Sequence, residues 1–126
     1  MPTGKCVPYL RVKSARASVD YFHRCLGFHQ QWEHRDGDGL PLSISVARGN
    51  LQFFLSENTG DGNFGICLYC HVTNVDLLHA EYLRTGALSL SSVYEMPWGR
   101  NFSVRDLDGN EIRFGTPSKP DLSMAA

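Results

Sequence analysis

Two segments of the chain repeat one pattern of apolar and polar positions. They are 7–28 (VPYLRVKSARASVDYFHRCLGF) and 67–88 (CLYCHVTNVDLLHAEYLRTGAL). In each segment, apolar residues first alternate with polar ones, which predicts a strand, and then recur three and four positions apart, which predicts an amphipathic helix. Each predicted helix follows an N-cap residue type and precedes a glycine suited to a left-handed C-cap, namely Ser14 and Gly27, then Asn74 and Gly86.

Shorter alternating runs follow each helix and complete the repeat. They predict strands over 28–35, 42–47 and 51–55 in the first half and over 89–94, 101–106 and 111–115 in the second. The element order is therefore βαβββ, twice, and such self-similarity indicates a duplicated module. We predict one α+β domain over 1–126, with module 1 at about 5–56, a polar linker at 57–64, module 2 at about 65–116 and a tail at 117–126.

Strand alternation separates two chemically different sets of side chains on the two faces of the predicted sheet. The first set is apolar and is expected to carry the helices: Leu10, Val12, Leu51, Phe53, Leu55, Ile66, Leu68, Cys70, Val72, Ile112 and Phe114. The second set combines rings with a few polar groups: Val7, Tyr9, Arg11, Gln52, Phe54, Cys67, Tyr69, His71, Glu111 and Arg113. One interpretation of the second set is a solvated surface; the other is a concave ligand site, which is typically apolar with a few polar groups.

Composition narrows the function classes. The chain has 126 residues, which suits one domain, and a net charge of −1 without a basic cluster, so no nucleic-acid partner is expected. No apolar run of about 18 residues predicts a membrane span, so no membrane partner is expected. The first ten residues, MPTGKCVPYL, lack the apolar core of a secretory signal, which favours a cytoplasmic protein.

The four cysteines are Cys6, Cys25, Cys67 and Cys70. We expect structural thiols, because free cysteine is commonly a small buried hydrophobe and no export signal favours disulfides. The spacing of Cys67 and Cys70 matches a redox motif, but the pair lies within a predicted strand.

The duplicated order and three stretches resemble the vicinal oxygen chelate superfamily, which includes glyoxalase I, extradiol dioxygenases, fosfomycin resistance enzymes and bleomycin resistance proteins. The stretches are VPYLRVKSARASVDYFHRCLGF, GNLQFFLSE and PWGRNFSVRDLDGNEIRFG. The resemblance covers most of the chain and implies two tandem βαβββ modules that form a curved, cup-shaped sheet with helices on its outer face. Activity stays open, since one fold hosts many functions.

Enzymes of this superfamily usually hold a divalent metal with one His, Gln or Glu from each of four strands. The resemblance places Val7, Gln52, Cys67 and Arg113 at these positions. Valine has no ligating atom, and arginine is permanently charged and repels a cation, so we expect no metal and no other cofactor. A displaced constellation of Cys67, His71 and Glu111 on the same predicted face is the alternative.

The resemblance is nearest to the bleomycin-resistance branch, which implies drug binding without metal or chemistry, in a groove between two subunits bordered by aromatic residues. We therefore predict a homodimeric, metal-free antibiotic-resistance protein with no catalytic residues. It is expected to sequester an aromatic, drug-like small molecule, for example a cationic or metal-chelating compound of the bleomycin type. The expected ligand-binding residues are Trp98, Arg113, Tyr69, Phe54, Gln52, Tyr9, Cys67, Trp32 and Glu111.

Two other functions stay open on the sequence: a metal-dependent lyase or isomerase of the glyoxalase type, and an interaction module with an occluded cup. Arg113 also has two interpretations. Its guanidinium meets an anionic or polar ligand group while Glu111 holds it in position, or the two residues form an exposed ion pair of little consequence.

Overall fold

The computed structural model describes residues 4–117, and the predicted tail beyond Pro117 lies outside them. Module 1 comprises β1 (Tyr9–Arg11), α1 (Ala15–Leu26), β2 (His29–Arg35), β3 (Leu42–Arg48) and β4 (Leu51–Ser56). A short 3-10 turn at Thr59–Asp61 lies in the linker. Module 2 comprises β5 (Cys67–His71), α2 (Val75–Thr85), β6 (Tyr94–Met96), β7 (Gly99–Arg105) and β8 (Glu111–Pro117). The predicted α+β fold of two βαβββ modules is confirmed.

Each module forms its own four-stranded sheet, in the order β1-β4-β3-β2 and β5-β8-β7-β6. The first strand of each module pairs in parallel with the last, and the other neighbours are antiparallel. This register places Tyr9 beside Phe54 and Tyr69 beside Arg113. The domain therefore contains two half-cups, each with one side free of helix.

The helix boundaries follow from their caps, as the sequence predicts. The Ser14 hydroxyl accepts a hydrogen bond from the Ala17 N–H at 3.2 Å, and the Asn74 amide oxygen accepts one from the Leu77 N–H at 3.1 Å. Both helices end at a left-handed glycine, with φ of 79° at Gly27 and 78° at Gly86.

The predicted apolar face carries the helices and forms the core. Its central side chains are fully buried, and aromatic clusters of three rings in each module lie at its centre: Phe22, Phe28 and Phe53, then Tyr82, Phe102 and Phe114. Burial of each large side chain contributes about 1.5–3 kcal/mol, so this face supplies the main stabilising layer.

The two modules contact each other through their helices. α1 packs on the first sheet, α2 packs on the second, and the helices pack against each other. The helix-free faces of both sheets consequently point outward, away from the shared core.

A polar clamp fixes this arrangement where α1 ends. Arg48, at the end of β3, donates to the Leu26 carbonyl at 3.0 Å and makes two bonds of 2.5 and 2.8 Å to the Glu81 carboxylate on α2. Tyr82 donates to the same Leu26 carbonyl at 2.8 Å. A side chain at Gly27 would collide with the Arg48 guanidinium, so glycine there serves both the helix cap and the clamp.

Two predicted features differ from the structure. In the run 89–94 only Tyr94, where β6 begins, belongs to a strand, because Ser89 has a left-handed φ of 52° that interrupts extended backbone. Leu88, just before this run, forms an isolated bridge to Arg105. β8 extends to Pro117, beyond the predicted end at Gly115. No helix in residues 4–117 is long and apolar enough to cross a membrane.

The cysteine prediction is correct for one residue and wrong for two. Cys70 is buried, and this burial raises the pKa of its thiol to about 11. Cys6 and Cys67 are exposed and Cys25 is half-buried; all four are free thiols. Cys67 and Cys70 lie an odd number of positions apart on β5, so their side chains leave the strand on opposite faces and form no redox pair.

We expect Glu81→Gln to lower the free energy of unfolding by about 1 kcal/mol at neutral pH, because Arg48 loses its charged acceptor. The bond to Arg48 lowers the pKa of Glu81 below its usual 4.5. That stabilisation is present above the unfolded-state pKa and is lost as pH falls through the lower folded-state pKa. Urea unfolding at neutral pH and at about pH 3 checks this, since the difference between the proteins should vanish in acid.

Glu95→Gln is the matched control, because Glu95 pairs with Arg100 at the exposed surface. It should change the unfolding free energy by less than about 0.5 kcal/mol. A Glu81→Gln deficit of equal size at both pH values would contradict the charge-based clamp.

Candidate ligand-binding faces

The helix-free side of the first sheet carries a cluster of rings, here called the first aromatic face: Tyr9, Trp32 and Phe54. The centroid of the Phe54 ring lies 5.1 Å from that of Tyr9 and 5.1 Å from that of Trp32. Tyr9 and Trp32 remain 46% and 43% exposed, which is a large apolar surface for a strand to present to water.

A bulge in β2 makes this cluster possible. Strict alternation would send Trp32 to the same side as the buried Phe28. Gln30 pairs with Val46 and Trp32 pairs with the adjacent Ser45, so Gln31 is the extra residue. The additional residue reverses the alternation and directs Trp32 outward.

The floor beside these rings is an uncharged hydrogen-bond network of Gln31, Ser45 and Gln52. The Gln31 side-chain oxygen accepts from the Ser45 hydroxyl at 2.8 Å and from the Gln52 amide at 2.9 Å. The Gln52 amide also donates to the Ser45 hydroxyl at 2.9 Å. The network holds Gln52 in place and leaves this face without a formal charge at its centre.

The helix-free side of the second sheet carries rings and a guanidinium, here called the second aromatic face: Tyr69, Tyr94, Trp98 and Arg113. Tyr69 and Trp98 are 44% and 57% exposed. Tyr69 and Arg113 are neighbours on paired strands, and Trp98 lies in the turn between β6 and β7.

The position of Tyr69 is set by two residues behind it. Its hydroxyl donates to the buried Asn101 side-chain oxygen at 2.7 Å, and Asn101 in turn donates to the Gly99 carbonyl at 3.2 Å. Gly115 leaves the space for this contact, because a Cβ there would collide with the Tyr69 hydroxyl and the Asn101 oxygen. Partial burial raises the pKa of Tyr69, and nearby Tyr94 adds to the rise.

Arg113 is held by a carboxylate that lies between two guanidinium groups. Glu111 accepts from Arg113 Nε at 2.6 Å and from Arg105 Nη2 at 3.1 Å. The carboxylate of Glu111 is the main cause of the raised pKa of Arg113. Within residues 4–117 the two terminal nitrogens of Arg113 have no hydrogen-bond partner, and its side chain is 49% exposed.

The structure therefore brings the nine expected ligand-binding residues together in two groups. Tyr9, Trp32, Gln52 and Phe54 lie on the first sheet; Cys67, Tyr69, Trp98, Glu111 and Arg113 lie on the second. Five supporting residues were missed by sequence analysis: Gln31, Ser45, Tyr94, Asn101 and Gly115. Of these five, Gly115 is the residue that the sequence could have indicated, because a glycine within a strand often marks the close approach of another group.

The residues present do not fit the divalent metal that the fold family implies. Within residues 4–117, no three side chains of His, Cys, Asp or Glu come together as a metal-binding group. The displaced set also fails on geometry, because Glu111 is engaged by two arginines and the His71 ring packs edge-on against Tyr69 at 5.2 Å. Cys67 and His71 lie at opposite ends of β5.

A cavity lies elsewhere, between the tip of the β3–β4 hairpin and α2. Its volume is about 880 Å³, and its walls include Arg48, Leu51, Leu77 and Glu81. The charged groups Arg48 and Glu81 already satisfy each other in the clamp, and two of the rings that line the cavity, Tyr82 and Phe114, are fully buried. The two aromatic faces offer a ligand more exposed ring surface than this cavity does.

Comparison with models of known protein families shows which family this chain belongs to. A family model described as "Glyoxalase superfamily protein" matches residues 3–120. The chain belongs to the glyoxalase superfamily. The resemblance to the vicinal oxygen chelate group is thereby confirmed. A search of curated proteins gives no match.

Solved structures of other proteins show the same fold. An antibiotic-binding protein, TnmS3 from Streptomyces sp. CB03234, is 20% identical with a TM-score of 0.76, covering 93% of this chain and 98% of its own. A bleomycin-binding protein from Streptomyces verticillus, complexed with copper(II)-bleomycin, is 27% identical with a TM-score of 0.71, covering 94% and 99%. A glyoxalase-related enzyme from Clostridium phytofermentans is 21% identical with a TM-score of 0.73, covering 93% and 97%. Proteins described as binding proteins and a protein described as an enzyme thus share this architecture.

We expect Gly115→Ala to destabilise the protein by about 1–3 kcal/mol, because the added methyl group overpacks the contact between Tyr69 and Asn101. Gly60→Ala is the control, since a Cβ there meets only an ordinary contact. It should change stability by less than about 0.5 kcal/mol. Urea unfolding measures both, and a crystal structure of Gly115→Ala should show Tyr69 displaced; equal stability of the two variants would argue against the tight fit.

Proposed function

We propose that this protein binds and sequesters an aromatic, drug-like small molecule in the cytoplasm, without a metal and without chemical turnover. The observation that carries the proposal is the pair of outward faces on which four large rings, Tyr9, Trp32, Tyr69 and Trp98, are each about half exposed. Ring-lined surfaces with a few fixed polar groups are suited to stacking of a planar ligand.

The polar groups on these faces support binding over catalysis. Gln52 is locked in an amide–hydroxyl network, and Glu111 is neutralised by two guanidinium groups. A general base needs a free, basic lone pair within reach of the substrate, and both groups are engaged. The structural neighbours that bind an antibiotic and bleomycin agree with this assignment.

We further propose that the functional unit is a symmetric homodimer. Each sheet supplies one half-cup, whose helix-free side lies opposite the helix that covers the same sheet. A two-fold pairing that sets the first aromatic face of one chain against the second face of its partner would enclose two equivalent grooves. Burial of rings such as Trp32 and Trp98 would stabilise the pair by about 25 cal/mol per Å² of apolar surface removed from water.

Titration with 9-anthracenemethanol, a neutral planar probe, tests ring-based binding. Followed by tryptophan fluorescence, it should give a Kd of about 10–100 μM, as expected for about 16 heavy atoms at moderate ligand efficiency. Trp98→Ala and Trp32→Ala should each weaken binding about five- to tenfold, because a stacking surface is lost.

Leu77→Ala is the matched control, because Leu77 is 70% exposed but lines the cavity beside the clamp instead of an aromatic face. It should leave the Kd within about twofold. Loss of binding in Leu77→Ala with normal binding in both tryptophan variants would move the site to the cavity and refute the proposal.

Treatment with a metal chelator tests whether ligand binding requires a metal ion. Protein treated with a chelator should bind the anthracene probe with unchanged Kd, because none of the residues assigned to binding serves as a metal ligand. Binding that is lost on chelation and restored by stoichiometric Zn²⁺ or Ni²⁺ would favour a metal-dependent protein. Sedimentation analysis of the same samples should give twice the chain mass of 14.1 kDa.

A further inference from the structure

We infer that the ligand is an aromatic compound bearing an anionic group, such as a carboxylate, and that Arg113 binds this group. The inference rests on the proposed function and narrows it, because the resemblance to bleomycin-binding proteins leaves a cationic ligand equally open. The charges fixed on the two aromatic faces decide between these classes.

The second aromatic face has a net positive charge. Arg105 and Arg113 flank the single carboxylate of Glu111, and both bond to it. One negative charge is thereby shared between two positive ones. An approaching cation would meet a carboxylate that is already neutralised, whereas an anion would meet an excess guanidinium charge.

Arg113 has the geometry to receive an anion. Its Nε is used by Glu111, which fixes the plane of the guanidinium. Its terminal nitrogens have no acceptor within residues 4–117, and the side chain is 49% exposed. Two N–H donors on one edge of a guanidinium match the two oxygens of a carboxylate, which gives short and strong charge-assisted bonds.

Rings stand beside this guanidinium. Tyr69 is its neighbour on the adjacent strand, held by Asn101, and Tyr94 and Trp98 border the same face. A planar ligand that stacks on Tyr69 would therefore carry its substituent towards Arg113. This arrangement places an apolar stacking surface next to a single charged side chain.

The floor of the first aromatic face offers a cation no charged partner. Its network of Gln31, Ser45 and Gln52 is uncharged and internally satisfied. At the end of the same sheet Arg11 adds a further positive charge, lying 4.6 Å from the Phe64 ring centroid. Two carboxylates lie at the margin of this side, and both are engaged: Asp61 accepts from the Ser56 hydroxyl at 2.7 Å, and Asp36 is paired with His34. The first face thus suits the uncharged part of the ligand.

Three matched probes test the charge preference: anthracene-9-carboxylate, 9-anthracenemethanol and 9-(aminomethyl)anthracene. The wild-type protein should bind the carboxylate about tenfold more tightly than the alcohol and should bind the ammonium compound most weakly. Raising the salt concentration from about 0.05 to 0.5 M should reduce this preference, because exposed charges are screened.

Arg113→Gln should reduce the preference for the carboxylate over the alcohol from about tenfold to about twofold. Arg113→Lys should retain part of the preference for the carboxylate, because the positive charge remains but the planar guanidinium with its paired N–H donors is lost. Arg100→Gln is the control, since Arg100 is also exposed but pairs with Asp76 and Glu95 away from the rings. It should bind all three probes as the wild type does.

The outcomes separate the two proposals. Tighter binding of the ammonium compound than of the carboxylate would overturn the anion inference while the aromatic binding function stands. A carboxylate preference that survives in Arg113→Gln would overturn the role of Arg113. Failure of all three probes to bind, with correctly folded protein, would overturn both the function and the inference built on it.

Discussion

The architecture depends on the contact that joins the two modules where α1 ends. Arg48 and Tyr82 share the Leu26 carbonyl, and Glu81 binds both ends of the Arg48 guanidinium. This clamp holds the helices of the two modules side by side over one continuous core. Because each helix covers the inner face of its own sheet, both opposite faces are directed outward. Their exposure is a consequence of how the modules are clamped.

The two outward faces are related by duplication but differ in chemistry. The first has three rings over a neutral amide–hydroxyl floor, and the second has rings around a guanidinium whose carboxylate is shared. Three of the proposed ligand-binding side chains are each positioned by a neighbour: Gln52 by Gln31, Tyr69 by Asn101, Arg113 by Glu111. Such pre-positioning lowers the entropy that binding must overcome. This difference in chemistry agrees with the proposed ligand, which has one apolar and one charged part.

Local patterns anticipated most of the fold, while several features of the faces depended on distant contacts. Caps at Ser14 and Asn74, the glycines that end both helices and the apolar alternation are short-range signals, and the structure agrees with them. The side of the sheet on which Trp32 lies could not be predicted from alternation, because a bulge opposite Val46 and Ser45 reverses the alternation of side chains midway along β2. The role of Gly115 likewise depends on its close approach to the Tyr69 hydroxyl, and Tyr69 lies 46 residues earlier in the chain.

The sequence by itself determined the duplicated order of elements and the apolar side of each sheet. It also showed that two of the four expected metal-ligand positions hold residues that cannot bind a metal. These features follow from hydrophobic periodicity, helix-cap chemistry and residue type, which are local properties. Only the tertiary structure decided that the nine expected residues form two separate groups on outward faces, and that Glu111 is shared between Arg105 and Arg113. Those outcomes depend on module packing and strand register, which arise from contacts between residues far apart in the chain.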